Sequence, residues 1–347
     1  MSGSDVTRNG VEGARPGRDA MTGARTGRRR RRRGGGERAM VPDVEFSSYY
    51  GKPILNRPTW KPLDVAGYLC LGGLAGASSL LAAGGHVTGR PGLARAAKLG
   101  AAGAISLSLA ALVHDLGRPA RFLHMLRVFK PTSPLNLGSW LLASYAPLTM
   151  AAAAADVAGR HRIVGGAATA GAAALGPAVA TYTAVLLSDT AVPSWHEGHR
   201  EMPFVFAGSA ATAAAGLALT CAPLREAGPA RRMALLGAGL ELGAFQLMKR
   251  RMGLAAEPYE LGKQRWQLRS AEVLTAGGAA LAAYAGRDGA GGRARLLTAT
   301  AGTALLAGSA ALRFGVFHAG VASAEDPKYT VVPQRERLEA RARSDGH

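Results

Sequence analysis

The stretch ALVHDLGRPARFLHMLRVFKPTSP, Ala111 to Pro134, decides what kind of chain this is. An apolar run ends at His114-Asp115 and turns through Gly117-Arg118-Pro119. It resumes as a basic strip carrying Arg121, Phe122, His124, Met125, Arg127, Phe129 and Lys130. Glycine permits the tight bend, and proline bars a continued helix. A strip that mixes cations with apolar side chains can lie in a membrane interface and snorkel its charges to water. The run before it carries no charge over residues 99–113. A water-soluble amphipathic helix would carry charges along one face at nearly every turn.

The same pattern repeats outward in both directions. The chain has 347 residues, 48% of them hydrophobic. From residue 64 to 321 it consists mostly of Ala/Leu/Gly/Val stretches broken by short charged clusters. About 20 apolar residues span a bilayer. Apolar runs and charged breaks predict helices at roughly 64–87, 95–115, 136–157, 163–188, 203–223, 230–249, 268–286 and 295–320. Small residues fill them, as in GGLAGASS, Gly72 to Ser79, and let membrane helices approach closely. The expected fold is an all-α polytopic membrane protein with eight transmembrane helices.

Net charge is +19, from 42 Lys+Arg against 23 Asp+Glu. That balance alone would admit a nucleic-acid binder. The basic residues are unevenly spread, however, with a run from Arg28 to Arg33 in a Gly/Arg-rich leader. Residues 1–45 cannot bury a core and are expected to be a disordered tail touching anionic lipid, with no nucleic acid as partner. The arginines are not followed at once by an apolar run, so a cleaved signal peptide is not expected. Residues 331–347 read as a charged C-terminal tail. Cys70 and Cys221 both sit in apolar runs and are expected in the core; two thiols cannot hold an iron–sulfur cluster or an all-cysteine zinc site. No metal site is expected.

Eight spans put both tails on one side, side A. The longer connections, 116–135, 189–202 and 250–267, also fall there, which points to side A as the recognition face. Basic residues in the loops tie between the two sides. Lys52, Arg57, Lys61, Lys328, Arg335 and Arg337 in the tails tip the positive-inside preference towards a cytoplasmic side A.

Ionisable groups within spans are costly and therefore informative. Asp64 and Tyr68 open the first helix at side A, and His114 and Asp115 close the second. Asn136, Ser139 and Trp140 open the third, while Tyr182 and Asp189 end the fourth. An apolar pocket with a few such groups near the interface suits a lipid-soluble quinone, whose carbonyls need donors and whose reduction needs protons. Tyr182 and His114 can donate, and Asp64, Asp115 or Asp189 can relay. In the second half Glu241 and Arg313 lie at equal depth, ~12 Å from side A at 1.5 Å per residue. That depth invites an intramembrane ion pair. None of the eight histidines lies near mid-span, so no haem is expected.

Three segments carry a family resemblance: FSSYYGKPILNRPTWKPLDVAGYLCLGGLAGAS (Phe46 to Ser78), HDLGRPARFLHMLRVFKPTSPLNLGSW (His114 to Trp140) and LGPAVATYTAVLLSDTAVPSWHEGHREMPFVF (Leu175 to Phe206). Over roughly residues 46–330 the chain resembles the NrfD/polysulfide-reductase-type membrane subunits of molybdopterin oxidoreductase complexes. The resemblance implies two four-helix bundles, about 64–190 and about 200–321. It further implies no haem, iron–sulfur cluster or other redox centre in this chain, and a site for exchangeable menaquinone or ubiquinone. That site would lie near a docked four-cluster iron–sulfur subunit, with a molybdopterin catalytic subunit beyond. A tyrosine of the fourth helix and polar residues at the start of the first are implicated in quinone binding; Tyr182, Asp64 and Tyr68 match. Arg118, Arg121, Arg127, Lys130, Trp195 and His196 would face the iron–sulfur partner. The competing reading is a secondary transporter or ion-translocating subunit centred on Glu241 and Arg313.

Overall fold

A computed structural model of the chain describes residues 5–7, 10–12, 54–116, 124–287 and 291–344. It divides into two units, residues 59–319 and residues 1–58 with 320–347. The first unit is built from long helices: α1 Pro62–Val87, α2 Pro91–Asp115, α3 Pro134–Ala158, α4 Arg162–Ser188, α5 Met202–Cys221, α6 Gly228–Arg251, α7 Gln264–Ala285 and α8 Gly292–Glu325. The last turns of α8 belong to the second unit. All eight fall where the apolar runs predict helices. A proline stands in the first turn of α1, α2, α3, α5 and α6, where a missing N–H leaves no bond unmade. Gly89 and Gly159, in the left-handed region at φ 66° and 62°, stop α1 and α3.

Six of these helices, α1 to α5 and α8, are long and apolar enough to cross a membrane. Helices α6 and α7 fall short in composition, α6 carrying Arg231, Arg232, Glu241, Lys249, Arg250 and Arg251 and α7 Arg265, Arg269 and Glu272. Gln246 Nε2 and Lys249 Nζ of α6 both donate to Glu272 Oε1 of α7, at 3.0 and 3.2 Å. A polar clasp thus ties α6 to α7.

Helix crossings explain the abundance of small residues. Where α1 meets α4, a Cβ on Gly76 or on Gly176 would run into the other glycine's carbonyl oxygen. Close approach of this kind supplies van der Waals contact, which lipid does not compete away. The buried core is one contiguous cluster drawing on all eight helices. Helix α5 lies against α1, α2 and α4 as well as α6. The expected division into two four-helix bundles is therefore not drawn by the core.

In the second unit, β1 (Asp5–Thr7) pairs antiparallel with β2 (Gly10–Glu12), and α9 spans Lys328–Ser344. Arg57 Nε and Glu325 Oε1 form an ion pair at 3.0 Å. The strands fall in the segment expected to be disordered, whose remaining residues lie outside those described. The charged C-terminal segment is helical as far as Ser344.

Candidate functional site

Acidic side chains favour helix N-termini and cationic ones C-termini. Asp64 lies in the first turn of α1 and His114 in the last turn of α2. Antiparallel packing of the two helices brings them together, with His114 Nδ1 2.8 Å from Asp64 Oδ2. Lys61 Nζ stands 4.0 Å from the same oxygen. One turn deeper in α1, Tyr68 is buried, and its carbonyl accepts from Ser108 Oγ of α2 at 3.1 Å. The phenols of Tyr68 and Tyr182 are neighbours across α1 and α4, and the Asp115 carboxylate is within electrostatic reach of Tyr68. The Tyr182 ring lies against α3 at Gly138, where a Cβ would stand 2.5 Å from ring Cε2. Four helices therefore build one end of this unit around two tyrosines, two carboxylates and an imidazole. Gly138 was missed in the sequence; only its place one turn into α3, level with Tyr182, could have signalled it.

Trp140 and Asp189 do not join the tyrosine pair. Trp140 is exposed on α3, donates from Nε1 to the Val128 carbonyl at 3.3 Å, and meets Phe129 edge-on. Asn136 works beside it, accepting from Lys130 N at 2.7 Å and donating to the carbonyls of Met125 and Val128. Together they pin residues 125–130 to the start of α3. Asp189 is exposed past α4, ~10 Å along the helix from Tyr182.

Of the residues expected at a partner surface, Arg118 and Arg121 lie outside those described. Arg127 and Lys130 are exposed beside the exposed Val128 and Phe129, and His196 is also exposed. Trp195 is a correction. It is 0% exposed, stacks on Trp60 at 5.8 Å and donates from Nε1 to the Val316 carbonyl at 2.9 Å. Its indole is a core anchor, with no surface left to offer a partner. Residues 189–202 and 250–267 interlock around it. Ser194 Oγ donates to the Ala255 carbonyl and Tyr259 Oη to the Ser194 carbonyl, both at 2.8 Å. Arg251 grips Glu201 through Nε and Nη2, at 2.6 and 2.7 Å. Burial pushes the Tyr259 phenol well above its ordinary value.

The expected ion pair in the second half is likewise corrected. Glu241 and Arg313 are each 1% exposed, yet no ion pair joins them. Glu241 accepts from Thr275 Oγ1 at 2.9 Å and Thr212 Oγ1 at 3.1 Å. Arg313 donates from Nη2 to the Phe206 carbonyl at 2.8 Å, with its guanidinium 3.7 Å from the Phe206 ring centroid. Nearby, Ser209 and Ser309 share a hydroxyl contact of 2.8 Å. Nε and Nη1 of Arg313 have no hydrogen-bond partner. The cysteines also depart from expectation: Cys70 is half-buried and Cys221 exposed.

The class this architecture defines is a multi-pass membrane protein with a polar, tyrosine-lined end to its first four helices. The model of the NrfD family, polysulphide reductase, matches residues 55–248, more than half of the chain. The chain belongs to that family, whose members are membrane anchors of oxidoreductase complexes and usually partner iron–sulfur and molybdopterin subunits. No curated protein matches the chain closely enough to be named as a relative.

Proposed function

We propose that this protein binds menaquinone or ubiquinone beside Tyr68 and Tyr182 and exchanges electrons between the membrane quinone pool and an iron–sulfur subunit. The observation that carries the reading is the tyrosine pair of α1 and α4, Tyr68 buried and Tyr182 half-buried against Gly138, with the Asp115 carboxylate within electrostatic reach of Tyr68. A quinone carbonyl needs a donor at hydrogen-bond range and, on reduction, a proton. The Tyr182 phenol supplies the donor. Asp115, and Asp64 with its His114 neighbour, lie between that phenol and the aqueous end and can return the proton.

In this reading all eight long helices lie in the bilayer, the clasp between α6 and α7 sitting at headgroup level. Both tails and the tyrosine-lined end share side A, the cytoplasmic side by charge. The chain holds no redox centre, so electrons pass directly between bound quinone and a cluster of a four-cluster iron–sulfur partner. That partner docks near Arg127 and Lys130 and leads to a molybdopterin catalytic subunit. Ion translocation through the second half is the alternative, resting on the buried Glu241 and the free guanidinium nitrogens of Arg313.

Tyr182→Phe tests the reading. A lost hydrogen bond to a neutral acceptor costs about 0.5–1.5 kcal/mol, so affinity should fall only modestly. A positioned acid contributes about a hundredfold or more in rate, so quinone turnover by the assembled complex should fall much further. Unchanged turnover with a soluble quinone analogue would place the site elsewhere.

A further inference from the structure

At the ends of α1 to α4 remote from the tyrosines, a cavity of about 480 Å³ is lined by His86, Arg90, Lys98, Arg160 and Arg162, with Asp156 as its one acid. That acid is already engaged. Lys98, itself buried, donates from Nζ to Asp156 Oδ1 at 3.0 Å, and Arg95 Nε stands 3.8 Å from Oδ2. Arg90, Arg160 and Arg162 have no ion pair with any carboxylate among the described residues. Two tight connections, turning at Gly89 and Gly159, deliver all three arginines to one concavity. Cations gathered in this way repel one another, and an anion relieves the repulsion.

We propose that this cavity binds the phosphate of an anionic membrane lipid. Guanidinium forks match phosphate oxygens two at a time, which a scatter of lysines would not do. A lipid is the source for two reasons. The cavity lies at the ends of membrane-spanning helices, where headgroups sit. Arg90 also edges a second cavity, of about 430 Å³, whose lining is largely apolar through Ala211, Pro229, Met233, Leu236 and Leu240. One arginine thus joins a place for a headgroup to a place for an acyl chain. The inference does not depend on quinone binding, since it concerns the opposite end of the helices.

Lipid retention by the purified full-length chain is the measurement, read by native mass spectrometry after exchange into mixed micelles of phosphatidylglycerol and phosphatidylcholine. The wild type should keep phosphatidylglycerol in preference to phosphatidylcholine. The triple variant Arg90→Gln/Arg160→Gln/Arg162→Gln should lose about a hundredfold in that preference, each basic contact contributing roughly fivefold. Arg160→Gln alone, at an exposed position, should lose about fivefold and covers the case in which the triple variant fails to fold. Equal retention of the two lipids by the wild type, or undiminished preference in both variants, overturns the proposal. Inorganic phosphate at millimolar concentration is the second arm and should not displace the lipid. Displacement would overturn the lipid as source and leave a site for free phosphate.

Discussion

Asp64 and Tyr68 lie within two turns of a helix end and find their partners across one side chain's width, in His114 and Tyr182. Glu241 and Arg313 lie deep in α6 and α8 and do not find each other. Each takes its hydrogen bonds elsewhere, the carboxylate from two threonines and the guanidinium from a backbone carbonyl. The difference teaches what sequence depth measures. Counting residues from a helix end fixes a level in the membrane, and helix rotation, at about 100° per residue, decides which neighbour a side chain faces. Helices α1 and α2 are antiparallel neighbours joined by a short turn at their far ends, residues 88–90, which ties the rotation of one to the other. Deep in α6 and α8, no such link exists.

The largest effect that could break this contrast comes from the buried pair. Arg313→Met strips the buried Phe206 carbonyl of its charged donor, and losing a hydrogen bond from a charged group should cost about 1.5–3 kcal/mol of stability. The charge swap Glu241→Arg/Arg313→Glu should not recover it. Thr212 and Thr275 donate to the Glu241 carboxylate, and the Phe206 carbonyl accepts from Arg313; a guanidinium at 241 and a carboxylate at 313 could take neither bond, so the swap places each charge among the wrong partners. Thermal midpoints in detergent would show this. Recovery on swapping would mean that the charges meet directly in the folded protein.

A smaller effect sharpens the other half of the comparison. Gly138→Val puts a branched side chain where the Tyr182 ring lies. Turnover with quinone should fall by about a hundredfold, as for losing the tyrosine's proton, and affinity should fall with it because the ring itself is displaced. Tyr182→Phe, which keeps the ring, separates those two losses. If Gly138→Val leaves both parameters intact, the bare face of α3 has nothing to do with the site.

Much of this was legible in the residues. Apolar runs located eight helices, since length and lack of charge are properties of a single segment. The sequence also named Tyr68, Tyr182, Asp64, His114 and Asp115, because polar side chains at one level of several spans are rare enough to be noticed. Gly138 was illegible for the opposite reason: among 47 glycines, one more says nothing until the ring above it is seen. Trp195 was misread because a tryptophan in a long connection looks available. Its burial depends on Trp60 and Phe317, which are far away in the sequence. Helices α6 and α7 look less like spans than the others because charges stand at both ends of α6 and in the first turns of α7, of which only Lys249 and Glu272 bind the two to each other.

The smallest expected effect concerns the edge of the tyrosine-lined end. The His114 side chain is 68% exposed and that of Asp64 12%, so water competes for the hydrogen bond from the histidine side only. An exposed partner contributes little, and screening by salt reduces it further. His114→Asn keeps a short donor within reach of Asp64 and should shift the thermal midpoint by no more than about 1 kcal/mol of stability. Turnover should then fall only a few-fold, as expected if His114 merely orients Asp64. The two roles of the histidine differ by more than an order of magnitude in what the change removes. Orientation survives in asparagine, whereas proton donation does not, and losing a positioned acid costs about a hundredfold or more. Quinone turnover of the complex carrying His114→Asn, measured at two salt concentrations, decides between them. A fall as deep as that of Tyr182→Phe would make His114 the proton source and Asp64 its holder, reversing the order in which protons reach the tyrosine.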